Sequence, residues 1–250
     1  MIRSALYRDP KRLDPALHRH KRLQGLDDYS IAKDMHAVFL AATEFPEAAL
    51  SFPIVFVHTG ERLPDGHPMV SPVALLGLAT NENLIVDGAR WDAPYVPAFI
   101  RRYPFLTAGV AGQSEPAVFV DAAWSGFGDT EGEPLYDAQG RPAPALQRAF
   151  DFLRQFDAEQ QRTRTFCRRL VEAGLLRELS VDAALGGGQN VQVAGMFAVD
   201  EDRLGAAADD EVLQLHRSGM LMLLHAHLCS LLNLKHLLRR KARRLESAAR

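Results

Sequence analysis

Between residues 37 and 121 the apolar runs of this chain are short, rich in β-branched residues, and joined by connections mostly too short to hold a helix. No other feature constrains the fold as strongly. Parallel strands need a crossover of a dozen or more residues, whereas antiparallel strands need only a turn. The runs cover residues 37–41, 53–57, 72–78, 83–86, 105–110 and 117–121, each bounded by Gly, Pro, Asn or Asp. One short helix is predicted over residues 44–51, with Thr43 as its N-cap and Pro46 in the first turn.

At Pro144 the period changes. Leu146, Ala149, Phe150, Leu153, Phe156, Phe166, Leu170 and Val171 recur at helical spacing, with room for one interruption, and Gly174 suits a helix C-terminus. Residues 179–185 and 191–199 flank Gly186, Gly187 and Gly188, which predicts a hairpin. Asp200 opens a short helix, and Asp209 opens one long C-terminal helix. The reading is an α+β fold: a mostly antiparallel sheet in the N-terminal half, and helices plus a β-hairpin in the C-terminal half. Residues 1–30 read as a basic extended arm. Residues 31–250 read as a single α+β domain, with a candidate subdomain boundary near 126–144, where Gly, Asp, Glu and Pro accumulate.

Charge is unevenly placed. The net charge is −2, yet residues 1–24 carry seven Lys/Arg against two Asp, and residues 236–250 carry six against one Glu, so each end is +5 and the middle is −12. Such ends bind nucleic acid or an anionic membrane, or they pair with acidic surfaces of the same fold. Nucleic acid is the less expected partner. Cys167 and Cys229 lie in apolar helical contexts without zinc spacing and are expected to be buried free thiols. No secretory leader is read at the N-terminus, and the longest apolar run, 220–232, is shorter than a membrane span and carries His225 and His227. The expectation is a cytoplasmic protein without a transmembrane segment.

Phosphate-loop, serine-hydrolase, zinc-protease and dinucleotide motifs are all absent, and no cofactor is expected. Residues 90–105, RWDAPYVPAFIRRYPF, place three prolines and three arginines among five aromatic rings. Proline fixes φ and removes donors, so this is a rigid segment rather than an amphipathic helix. Trp91, Tyr95, Arg101 and Arg102 form a candidate ligand grip through stacking and charge, or else a packing element. Arg162 and Arg164, from four arginines within residues 162–169, are candidates for binding carboxylate or phosphate. His227, Ser230 and Asn233 share one helical stripe, implying either a hydrogen-bond network or a polar pocket. His58, Glu61 and His67 have the composition of a two-histidine, one-carboxylate metal site, but turn geometry alone explains most of this loop, so a hairpin is the expectation and no metal is expected.

Several stretches resemble the SapC family of bacterial proteins: FPIVF (52–56), PVALLGL (72–78), ENLIVD (82–87), WDAPYVPAFIRRYPF (91–105), QRTRTFCRRL (161–170), GMFAVDEDRL (195–204) and HLCSLLN (227–233). The peptide-transport permease of the same name is a different protein. The resemblance implies a link to bacterial surface layers, with neighbours such as outer-membrane receptors, tryptophan-halogenase-like proteins and cupin-like proteins, and it assigns no catalytic residue. Two functions remain in view. One is a non-catalytic binding or accessory protein of a surface-layer or outer-membrane uptake system, with a protein or peptide partner and compatible with a homo-oligomer. The other is an enzyme acting on a peptide or aromatic substrate, with its pocket around His227, Ser230 and Asn233.

Overall fold

The computed structural model describes residues 6–113, 115–186 and 189–248. The fold is α+β, with 37% helix and 27% strand, and every strand pairing among the described residues is antiparallel. The basic N-terminal stretch, expected as an extended arm, is instead stitched to the body. Strand β1 (Pro10–Arg12) pairs with residues 119–121. Helix α1 (Pro15–His18) starts where the Asp14 carboxylate accepts the Ala16 N–H at 2.8 Å, and β2 (Arg22–Leu23) joins a small three-stranded sheet. Upstream, Leu6 and Tyr7 are buried, and the Tyr7 hydroxyl donates to the Phe105 carbonyl at 2.8 Å.

The central sheet draws on both halves of the chain. β3 (Ala37–Phe39) is followed by a 3-10 turn and the single-turn α2 (Phe45–Ala48). Thr43 is not the cap expected there: the Glu44 carboxylate accepts the Ala41 N–H at 2.8 Å, and the Thr163 hydroxyl accepts that of Ala42. β4 (Ile54–Arg62) and β5 (Pro68–Leu75) form a long hairpin. β6 (Val86–Asp87) and β7 (Arg90–Trp91) make a two-residue ribbon. The strand expected over 83–86 shrinks because the Asn83 side chain accepts the Ile85 and Val86 N–H groups and so replaces a ladder.

After α3 (Ala98–Arg101), β8 (Phe105–Ala108) and β9 (Ala117–Asp121) complete a sheet with β1, and β10 (Phe127–Gly128) and β11 (Glu133–Pro134) flank β2. α4 (Pro144–Glu172) runs 29 residues without the interruption the spacing allowed. It ends at Gly174, whose φ of 62° permits the Leu175 N–H to close back on the Leu170 carbonyl. β12 (Leu176–Gly186) and β13 (Gln189–Val199) form the expected hairpin, although Gly187 and Gly188 lie outside the described residues. β13 pairs with β4, so the five-stranded order is β12-β13-β4-β5-β3.

The single C-terminal helix predicted from Asp209 is broken. α5 (Glu201–Gly205) is followed by α6 (Asp209–Arg217), α7 (Met220–Ser230) and α8 (Asn233–Ala248). Gly219 takes φ 75°, which ends α6, and a short turn separates α7 from α8. By length and composition alone, residues 220–247 are long and apolar enough to cross a membrane. In the fold, Met220, Leu224, His227, Ser230 and Leu237 from this stretch are buried. Cys229 points outward, so only Cys167 is the buried thiol expected of both.

The main core gathers Phe45, Phe52, Ile54 and Phe56 between the central sheet, α4 and α7. A second cluster joins Phe105, Val120, Phe127, Leu135, Tyr136, Leu146 and Leu153. It takes Phe127, Leu135 and Tyr136 from the stretch read as a boundary, packing that loop between β8, β9 and α4. The basic ends pair internally: Lys21 with Asp129 at 2.9 Å, Arg240 with Asp92 at 2.8 Å, and Lys241 with Glu82.

Candidate functional site

Residues 90–105 are held rigidly by a few polar anchors. Trp91 is buried against Tyr29 and Phe52, and its indole N–H donates to the Tyr95 carbonyl at 2.7 Å. That bond closes the turn that the prolines begin. Beneath it lies the buried Glu44 carboxylate. Its Oε1 accepts the Tyr95 hydroxyl at 2.6 Å and the Ala98 N–H at 2.7 Å, which fixes the start of α3. Burial raises the Tyr95 phenol well above its ordinary pKa, and the Glu44 bond adds to the effect.

The far end is held by a second buried acid. Asp121 Oδ1 accepts the N–H groups of Asp9 at 2.9 Å and Ala123 at 3.2 Å; Oδ2 accepts the Arg8 N–H at 3.0 Å and the Tyr103 hydroxyl at 2.9 Å. Burial pushes the Asp121 pKa up, but these donors outweigh it, and the carboxyl titrates below its usual range.

Between the two anchors, α3 presents Arg101 and Arg102. Arg101 Nε donates to the Val96 carbonyl at 2.9 Å, and its guanidinium lies 5.4 Å from the Phe152 ring centre. The Arg102 guanidinium sits 4.3 Å from the Phe99 ring centre and 4.7 Å from that of Phe156, with Tyr7 at 6.0 Å. Burial raises the Tyr7 phenol to about 12 even though the Arg102 charge opposes it. Among the described residues neither arginine has a carboxylate within salt-bridge distance, and Arg102 Nε is buried without a hydrogen-bond partner. Both line a cavity of about 300 Å³ with Phe105, Phe152, Glu133 and Arg148. Arg148 and Glu133 pair with each other at 2.6 Å, so the cavity keeps two uncompensated cations beside aromatic walls. Planar guanidinium groups held against rings are suited to carboxylate or phosphate.

The other candidates do not converge here. Arg162 pairs with Glu159, and Arg164 pairs with Glu61 at 2.6 Å. They lie ten or more residues beyond Phe152, at least about 15 Å along α4. The stripe on α7 and α8 serves the backbone. His227 Nε2 accepts the Val199 N–H at 3.0 Å, Ser230 Oγ accepts the Ile54 N–H at 2.9 Å, and Asn233 Nδ2 donates to the Ala49 carbonyl at 2.7 Å. His227 is fully buried beside Phe56, and burial pulls its pKa down to about 4, so the ring stays neutral. These bonds tie the stripe to the backbone, and His227 Nδ1 is buried without a hydrogen-bond partner among the described residues.

The members of the histidine–glutamate metal candidate lie along the β4–β5 hairpin, each with its own neighbours. His58 packs on Phe197 with ring centres 4.5 Å apart, Glu61 is held by Arg164, and His67 sits in the exposed turn. No metal-binding cluster of three His, Cys, Asp or Glu forms among the described residues.

Sequence reasoning overlooked Glu44 and Asp121, because a single acid in a short element resembles any surface acid. Arg148, Phe152 and Phe156 had a readable signal: their i, i+4, i+8 spacing puts them on one face of α4. Compared with known proteins, the chain matches the family model described as SapC over residues 13–237. No curated protein and no solved structure matches it.

Proposed function

The chain belongs to the SapC family, and from that premise we propose that it is a non-catalytic binding or accessory protein that grips an acidic group of a peptide or protein partner. Its setting is a bacterial surface-layer or outer-membrane uptake system. One observation carries the reading: Arg101 and Arg102 lack carboxylate partners among the described residues, are stacked on aromatic rings, and line one cavity. Arg102 is half-buried with its Nε shielded from water, so it loses less water on meeting an anion than a free guanidinium does, while the exposed Arg101 stays open to the partner. The anchors Glu44 and Asp121 hold the segment in place before the partner arrives, and that lowers the ordering cost of binding. The enzyme alternative placed its pocket at His227, Ser230 and Asn233. Three of their polar atoms, His227 Nε2, Ser230 Oγ and Asn233 Nδ2, are already committed to backbone groups, while His227 Nδ1 is buried without a hydrogen-bond partner among the described residues.

The test is fluorescence anisotropy with a labelled peptide containing aspartate next to an aromatic residue, and with its asparagine counterpart. The acidic peptide should bind more tightly, and the double variant R101Q/R102Q should weaken it by about tenfold or more with unchanged circular dichroism. Equal binding of both peptides, or indifference to the double substitution, would remove the reading.

A further inference from the structure

A roomier cavity lies elsewhere. A cleft of about 660 Å³ opens between the C-terminal turn of α4, the α5–α6 connection and the first residue of α7. This is the size range of small-molecule sites. Its apolar lining comes from Leu175, Leu215 and Met220, with Ala206 and Ala207 leaving room. Leu175 and Met220 are buried, and Leu215 packs against the main core.

The polar groups of this cleft are unequally engaged. Arg203 Nη1 donates to the Gly174 carbonyl at 2.6 Å, and its Nε lies 3.5 Å from the Asp200 carboxylate. Glu211 accepts the Ala208 N–H at 3.2 Å. Arg169 is different. Arg162, Arg164 and Arg168, on the same stretch of α4, pair with Glu159, Glu61 and Glu172. Among the described residues the exposed Arg169 has no carboxylate partner, and its Nη1 lies 3.9 Å from the Met220 sulfur. A cation therefore stands at an apolar cleft in contact with one of its apolar walls.

We propose that this cleft binds an amphipathic monocarboxylate, with the anionic head on Arg169 and the apolar body against Leu215 and Met220. One negative charge suits the site better than two, because Glu211 also lines it and repels a second. The proposal uses residues separate from those at Arg101 and Arg102.

Calorimetric titration of the full chain tests this with three probes: decanoate, decyltrimethylammonium and acetate. Decanoate should bind, whereas the cation with the same body and the head without a body should not. Arg169→Gln should weaken decanoate by about tenfold or more, as expected for losing a charged hydrogen-bond partner. The guanidinium closes no ion pair, so this variant should keep the wild-type melting temperature. Leu215→Trp, which fills the cleft, should abolish binding, and circular dichroism checks its fold. Equal binding of decanoate and decyltrimethylammonium would overturn the proposal. So would decanoate affinity unchanged in Arg169→Gln, or no decanoate binding at all.

Discussion

Replacing Asp121 with asparagine changes one atom in a fully buried group, so its cost can be worked out from the bonds. The carboxylate accepts four donors, two on each oxygen: Asp9 and Ala123 on one, Arg8 and the Tyr103 hydroxyl on the other. An amide keeps one oxygen and turns an N–H₂ toward the other pair, so two donors lose their acceptor however the amide is turned. At about 1.5–3 kcal/mol for each hydrogen bond to a charged group, Asp121→Asn should cost about 3–6 kcal/mol. For a chain of this size that lowers Tm by roughly 6–24 °C. Urea unfolding followed by circular dichroism measures the cost directly, with exposed Asp65→Asn as the control. The acid dependence has a definite sign. The folded carboxyl titrates below its unfolded value, so its stabilisation is present above the ordinary carboxylate range and is lost as pH falls through the lowered folded value. Asp121→Asn should remove that part of the acid sensitivity. A loss below about 1 kcal/mol, or no difference from the control, would refute the claim that Asp121 anchors residues 8 and 9 to the signature segment.

Other consequences can be measured in parallel. His227 has a folded pKa near 4 against an ordinary 6.5, so the unfolded chain takes up its proton first as pH falls; wild-type stability should drop by up to about 3 kcal/mol between pH 6.5 and 4, and His227→Gln should flatten urea midpoints across that window. Burial pushes the Cys167 thiol up to about 12 while Cys229 is exposed, so Ellman's reagent should titrate one thiol quickly in the native chain and the second only in denaturant. Gly132 has φ 97°, and an added Cβ would lie 2.3 Å from the Leu23 carbonyl oxygen; Gly132→Ala should cost about 2 kcal/mol or more in urea unfolding by displacing β2 from β11.

The class of fold was legible because the spacing of its apolar runs leaves few alternatives. Short connections gave antiparallel pairing, and the change of period at Pro144 marked α4 to the residue. What sequence reasoning lost was decided by single side chains. Asn83 truncates a strand that its neighbours would otherwise form, and Gly219 stops a helix whose apolar pattern continues. The N-terminal stretch looked like a solvated arm because its charges dominate; its attachment depends on Leu6, Tyr7 and a buried acid more than a hundred residues away. At the site, the density of charge and aromatic rings in the sequence is what singles out Arg101 and Arg102. That they lack acids, while Arg162 and Arg164 do not, is a tertiary fact no spacing encodes.

The polar stripe from His227 to Asn233 also sets a timetable. Two of the backbone groups it satisfies belong to Ala49 and Ile54, about 180 residues earlier in the chain, and β4 gains its second neighbour only when β13 arrives. At typical ribosomal speeds of about 5–20 residues per second, β4 waits roughly ten seconds or more between its own synthesis and that of its partners. Through that interval one edge of β4 stays open, and the Ile54 N–H meets Ser230 Oγ only after α7 has been made.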